Sequence, residues 1–299
     1  MNVIDQAFGT DWAMYNADST EWLASLPEDS VHLSVYSPPF ASLYTYSPTE
    51  RDLGNSSDEQ FWTHYRLIIR ELLRVTMTGR NSCVHVSDIP AMLVRDGYIG
   101  LKDFPGDVIR AHEAEGWIYH GRISIQKNPQ AQAIRTHSKS LLFNQMRKDA
   151  SWSRPALADY ILVFRKPGDN PTAIITDISN EDWIAWAHPL WTGISESDTL
   201  QVSEARDDED ERHLAPLQLG TIERCVRLWS NKGETVLSPF GGIGSEGVVA
   251  LRNHRKAILC ELKPSYWRVG VRNLTNAAHA MNVPTLFNFI DGYVTNAPR

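Results

Sequence analysis

The chain has 299 residues, enough for one large domain or two modest ones, and its hydrophobic fraction of 42% and charged fraction of 22% are ordinary for a globular protein. No apolar run approaches the roughly 18 residues needed to cross a bilayer, and Met1-Asn2-Val3-Ile4-Asp5 lacks the basic and apolar regions of a signal peptide, so a cytoplasmic protein is expected. The net charge of −7 speaks against a polyanionic partner until its distribution along the chain is read.

Residues 15–36 predict a turn, a short helix from Ser19 to Leu26 with Asp18 or Ser19 as cap, and a strand from His32 to Tyr36. Phe61, Tyr65, Leu67/Ile68, Leu72 and Val75 recur at helical spacing over 58–76. Thr78-Gly79-Arg80-Asn81 reads as a break, followed by a buried strand from Ser82 to Val86. A helix over 105–116 opens at Pro105 and closes at Gly116. Strands are expected at Arg122–Gln126 and Tyr160–Arg165, with a loop-rich basic stretch between them. Residues 168–212 are acidic, irregular and Trp-bearing; Trp183, Trp186 and Trp191 suggest a small apolar cluster or a subunit contact. An amphipathic helix over 216–229 leads into strand 235–237, a glycine loop, helix 245–253, strand 256–260 and helix 265–278. Strands alternating with helices imply an α/β protein with a parallel sheet.

Two strings carry the chemistry. Ser37-Pro38-Pro39-Phe40 follows the apolar run Val31 to Tyr36. Consecutive prolines fix φ and remove two backbone donors, leaving a stiff turn that presents acceptors. The Pro38 carbonyl and the Ser37 hydroxyl can share one planar amino group, and Phe40 offers a ring face for stacking. An exocyclic base nitrogen needs that arrangement, because its lone pair is delocalised until both of its protons are held. The second string is Ser238-Pro239-Phe240-Gly241-Gly242-Ile243-Gly244-Ser245-Glu246-Gly247. Gly242, Gly244 and Gly247 satisfy GxGxxG, and Glu261 ends the next strand, where an acid accepts from ribose hydroxyls. Only 38 residues follow Glu261, which leaves no room for a second nucleotide half and favours a mononucleoside cofactor such as S-adenosylmethionine.

Charge is segregated. Residues 122–166 hold nine Lys or Arg against two acids, and residues 168–212 hold twelve acids against two arginines. One face for a polyanion and another that repels it would be arranged so; two unlike solvated faces would look the same. Tyr44 and Tyr46 could line a pocket for a flipped base, and Trp152 lies among cations. Cys83, Cys225 and Cys260 form no CxxC pair and none follows a proline, which sets aside a cytosine-C5 reaction. No metal-ligand spacing appears, so no metal is expected.

The chain resembles the DNA amino-methyltransferases of the permuted beta group, in which the catalytic motif precedes the cofactor motif. The likeness extends to Asn16-Ala17-Asp18, Leu26 to Val31, His213-Leu214-Ala215-Pro216-Leu217-Gln218, and nearly all of Arg224 to Leu274, including Glu261 to Tyr266. Ser238 stands where that family usually has Asp, and Ser245-Glu246 departs from its usual Thr. The resemblance implies a Rossmann-like, circularly permuted methyltransferase sheet with a catalytic half at 1–125, an inserted target-recognition region at 126–212 and a cofactor half at 213–299. It implies catalytic roles for Ser37, Pro38, Pro39 and Phe40. It implies S-adenosylmethionine contacts from Asp18, His213, Pro216, Ser238, Phe240, Gly241, Gly242, Gly244 and Glu261. DNA contacts are expected from Lys127, Arg135, Lys139, Arg147, Lys148 and Arg154. Ser37 at the head of the catalytic string favours cytosine N4 as acceptor; adenine N6, a protein glutamine amide, or a silent DNA-binding module are the alternatives. DNA is the implied partner, with room for a homodimer and for a cognate restriction nuclease.

Overall fold

The computed structural model describes residues 3–39, 58–91, 93–136, 143–201, 205 and 216–282. Phe40, Tyr44, Tyr46, Lys139 and His213 lie outside the described residues. The elements in chain order are β1 (Val3–Phe8), β2 (Trp12–Ala17), α1 (Ser19–Ser25), β3 (Val31–Tyr36), α2 (Asp58–Val75), β4 (Thr76–Ser87), β5 (Ile89–Ala91), α3 (Leu93–Asp96), β6 (Gly100–Lys102) and α4 (Phe104–Ala114). There follow β7 (Ile118–Ile125), α5 (Pro129–Thr136), α6 (Phe143–Lys148), β8 (Asp159–Arg165), α7 (Asn180–Trp186), β9 (Leu190–Trp191), α8 (Leu219–Trp229), β10 (Thr235–Ser238), α9 (Ser245–Arg252), β11 (Lys256–Glu261) and α10 (Pro264–Asn282).

Local signals account for most of these. Asp18 caps α1, its carboxylate accepting the Thr20 N–H at 2.9 Å. In α2, Phe61, Tyr65, Ile68, Ile69, Leu72 and Val75 are buried at three- and four-residue steps, which gives the helix one apolar stripe. Asp103 caps α4 and Pro105 sits in its first turn, where a missing N–H costs nothing.

Nine strands form one sheet in the order β1-β2-β11-β10-β3-β4-β8-β7-β9. The strands β2, β11, β10, β3 and β4 run parallel; β1 is antiparallel to β2, and β8 is antiparallel to both β4 and β7. The sheet's centre thus joins both ends of the sequence, with β11 between β2 and β10. One face packs on α1, α2 and α4 through Trp22, Phe61, Tyr65 and Phe104; the other packs on α8, α9 and α10 through Cys225, Val248 and Leu274. The parallel strands all finish at one end, the end where open α/β sheets hold ligands.

The structure revises several expectations. Residues 12–17 are a strand, not a turn, and β1 pairs with it as a largely exposed edge. The expected break at 78–81 is a bulge within β4. The register with β3 slips between Val31 and Leu33, and Gly79 takes a φ of 73° that lets the extra residues loop out. The acidic stretch contributes α7 and β9, and β9 joins the sheet beside β7. Trp191 is fully buried, and Arg224 and Arg227 lie over the Trp186 ring at 5.7 and 5.5 Å, whereas Trp183 is exposed.

Candidate active site

The glycine loop leaves β10 at Ser238 and enters α9 at Ser245. Gly241 N–H donates to the Cys260 carbonyl at 2.7 Å, tying the loop to the end of β11. Gly242 and Gly244 have φ of 51° and 87°, a left-handed backbone that favours glycine. A Cβ on Gly242 would meet no atom within 4 Å, so the backbone there borders open space. Gly247 serves packing instead: a Cβ would stand 2.6 Å from Leu274 and 2.7 Å from Leu259. Glu261 Oε2 accepts the Gly242 N–H at 2.8 Å and Oε1 accepts the Lys263 N–H at 2.8 Å. Asp18 and Phe240 are half-buried, and the Phe240 ring lies 5.8 Å from that of Tyr36. Ser19 Oγ donates to the Pro239 carbonyl, which ties α1 to the loop. Ser238 is buried, and its hydroxyl has no partner among the described residues. Burial pushes the Glu246 carboxyl up to about 8, and the nearby Glu261 charge adds to this. Pro216 precedes α8 and is half-buried.

Ser37 and Pro38 continue β3 beyond its last paired residue. Because β3 and β10 are adjacent and parallel, this turn and the glycine loop leave the sheet side by side. Pro38 is buried and Pro39 half-buried. Ser37 Oγ lies 3.2 Å from the His85 carbonyl oxygen and 3.2 Å from His85 Nδ1. His85 Nε2 lies 3.1 Å from Asp159 Oδ2, and Lys127 Nζ lies 2.5 Å from the same oxygen. Burial acts to raise the Asp159 carboxyl, but the hydrogen bond from His85 and the Lys127 ammonium hold it below the usual carboxylate range.

Lys127 is therefore not the surface cation that was expected: its side chain is 3% exposed and its ammonium is spent on Asp159. Arg165 and Lys166, counted with the basic stretch, sit at the far end of β8, where Lys166 pairs with Asp29 at 2.9 Å and donates to the Thr76 carbonyl at 2.8 Å. Arg147 and Lys148 end α6 on an exposed turn. Arg154 is half-buried and donates to the Pro155 carbonyl at 3.3 Å. Arg135 is on α5; its side chain is outside the described residues. Part of the acidic stretch folds away from the site. Asp177 engages Arg227 and Arg255 beside the start of β10, at 3.3 and 3.4 Å. Glu196 and Asp198 do not follow it; they accept from the backbone N–H groups of Asn128 and Gly220.

His85 and Asp159 escaped the sequence reading. No motif spacing marks them; only the two-residue period of neighbouring strands, once their register is known, brings them to Ser37.

The arrangement defines a class first: an α/β sheet with a glycine loop and an acid on adjacent parallel strands, and an acceptor turn beside them. Residues 31–272 match the family described as DNA methylase, of N6 and N4 type, and the chain belongs to it. A curated relative, the type II methyltransferase M.BglI of Bacillus subtilis, is 29% identical over 166 residues, covering 55% of this chain and 40% of that protein. The chain thus matches less than half the length of that relative. TTHA0409 of Thermus thermophilus, solved complexed with S-adenosyl-L-methionine, superposes with a TM-score of 0.63 at 24% identity over 88% of this chain and 94% of that one. The cytosine-N4-specific PvuII DNA methyltransferase superposes with a TM-score of 0.65 at 20% identity over 94% of this chain and 96% of that one. Both superpositions show the fold.

Proposed function

We propose that this chain transfers a methyl group from S-adenosylmethionine to the exocyclic N4 amino group of cytosine in DNA. The observation that carries the reading is the adjacency of β3 and β10, which sets the Ser37-Pro38-Pro39 turn beside the glycine loop. The loop suits the cofactor: open space borders Gly242, and the Glu261 carboxylate lies at that glycine, where an acid can meet a ribose hydroxyl. Glu261 would hold the ribose, with Asp18, Phe240, Ser238, Gly241, Gly244, Pro216 and His213 completing the cradle. When bound, this cofactor supplies an electrophilic methyl on a sulfonium sulfur.

The chain's own part is to hold and reshape the acceptor. Ser37 Oγ and the Pro38 carbonyl accept the two N–H bonds of the amino group, which frees its lone pair from the ring. Pro38 and Pro39 keep those acceptors rigid, and Phe40 stacks on the flipped base, returning about 1–3 kcal/mol toward unstacking. Arg147, Lys148, Arg154, Arg135 and Lys139 would run along the phosphates. The region 126–212 would read the target, and the order of motifs makes the chain a permuted methyltransferase. Cytosine N4 is preferred because Ser37 heads the turn; the family also methylates adenine N6. Mass analysis of nucleosides from the DNA of cells expressing the chain decides between them. N4-methylcytosine is expected; N6-methyladenine would move the acceptor, and unmodified DNA would sink the proposal.

A further inference from the structure

Four side chains form a row across the end of the sheet. Val35 pairs with Cys83, Ser87 with Asp159, and Ile125 with Asp159, on the neighbouring strands β3, β4, β8 and β7. Counting by twos along each strand puts Ser37, His85, Asp159 and Lys127 on one face, one step beyond the apolar layer of Val35, Cys83, Ile161 and Ile125. Three contacts link them in series: Ser37 Oγ to His85 Nδ1 at 3.2 Å, His85 Nε2 to Asp159 Oδ2 at 3.1 Å, and Asp159 Oδ2 to Lys127 Nζ at 2.5 Å.

The series orders donors and acceptors. Lys127 is nearly buried and needs an anion, so Asp159 faces His85 as a carboxylate. A carboxylate against Nε2 calls for a proton on that nitrogen, and whenever the ring is neutral this leaves Nδ1 as an acceptor. The Ser37 hydroxyl then has two acceptors, Nδ1 and the His85 carbonyl, and both belong to His85. Its proton points at β4 and its lone pairs are left for a ligand.

We infer that His85, oriented by Asp159 and Lys127, is a positioning residue that sets Ser37 Oγ as an acceptor and takes up the proton released by amino methylation. This rests on the amino-methyl transfer proposed above. The nitrogen lone pair becomes the new N–C bond, the displaced C–S pair stays on sulfur, and the nitrogen is left with one proton too many. That proton passes to Ser37 Oγ as Ser37's own proton passes to His85 Nδ1. The imidazolium is held against Asp159, which stays ionised as the acid of a Ser-His-Asp triad does, and the proton leaves to solvent. Among the described residues, the ionisable groups presented to His85 by neighbouring elements are Asp159 from β8 and Lys127 beyond β7; β3 offers uncharged Ser37. Cys83 on its own strand is pushed well up by burial and stays a neutral thiol.

Two measurements test it. In the free 15N-labelled protein at neutral pH, the histidine signal lost in His85→Gln should show a protonated Nε2 and an unprotonated Nδ1. In kinetics, His85→Gln should lower kcat about 100-fold, hold the KM for DNA and the cofactor affinity within about twofold, and erase the acid limb of the kcat profile. The Ser37→Ala/His85→Gln double variant should fall no further than Ser37→Ala alone. A proton on Nδ1, an acid limb that survives His85→Gln, or additive losses in an active methylase would overturn the relay and leave the methyl-transfer reading standing. A wild-type chain that methylates no amino group would overturn both.

Discussion

Glu261 clamps Gly242: the carboxylate 19 residues downstream accepts that glycine's backbone N–H at 2.8 Å. The residue expected to meet the cofactor's ribose also sets the loop that the cofactor approaches. Its second oxygen, on the Lys263 N–H, fixes the start of α10 in the same way.

Glu261→Ala should therefore lose more than a ligand contact. Removing one charge-assisted acceptor costs about 1–3 kcal/mol, or about 5- to 150-fold in S-adenosylmethionine affinity. Glu261→Gln keeps a single acceptor oxygen and should fall between Ala and wild type. Calorimetric titration checks the order; unchanged affinity in Glu261→Ala would remove Glu261 from the site.

Ser37→Ala should separate catalysis from cofactor binding. Under the proposed reading its oxygen meets the target amino group, and its described partners are on His85, not on the glycine loop. Turnover should drop about 100-fold, the scale of losing one transition-state hydrogen bond, with cofactor affinity near normal. Pro38→Ala should act in the same direction by loosening a buried turn. A variant that lost cofactor first would reverse the roles assigned to the two strings.

The architecture was legible where periodicity and caps are strong. The stripe Phe61 to Val75 announces α2, and Gly242, Gly244 and Glu261 announce the nucleotide end of β10 and β11. The edge pair β1 and β2 was not: Val3 to Phe8 is mostly exposed and carries no alternation, and it is a strand because β2 supplies a partner. Lys127 shows the same limit in charge. A lysine in a basic stretch reads as surface, and only the pairing of β7 with β8 brings it within 2.5 Å of Asp159. Sequence reports local preference; contacts between strands distant in sequence follow from register, which no single strand specifies.

Gly247→Ala should be costly although glycine weakens a helix. The new methyl group would stand 2.6 Å from Leu274 and 2.7 Å from Leu259, both buried, where α9 meets α10 and β11. Overpacking of this kind costs about 1–3 kcal/mol, against a helix-propensity gain of about 1 kcal/mol. Denaturant melts should show a net loss of stability; a more stable variant would mean that the helix shifts outward freely.

Glu246 gives stability a dependence on alkali. Its carboxyl is buried and pushed up to about 8, whereas an unfolded glutamate titrates near 4.5. Between these values the folded state binds the extra proton, so its contribution is full below the unfolded value and is lost as pH rises through about 8. Glu246→Gln keeps the shape without the titration. Relative to wild type, the variant should gain Tm on going from pH 6 to pH 9, at about 2–4 °C per kcal/mol for a chain of this size. A Tm difference that stays flat across this range would mean that Glu246 is ionised in the folded protein.

DNA binding should depend on α6 rather than on the basic stretch as a whole. Of its nine cations, Lys127 is paired with Asp159 inside the molecule, and Arg165 and Lys166 lie at the end of β8 remote from Ser37. Arg147 and Lys148 are exposed at the end of α6, where phosphates can reach them. Each phosphate they neutralise releases a counterion and adds about 0.9 to the slope of log affinity against log salt. The double change Arg147→Ala/Lys148→Ala should weaken binding across all sequences and flatten that slope by about one unit per contact made. Arg252→Ala, an exposed cation at the far end of α9, is the control and should leave the slope as it is. Fluorescence anisotropy over a salt series measures both. If the double variant keeps the wild-type slope while DNA is still methylated, α6 is only a solvated turn and the phosphates are met elsewhere.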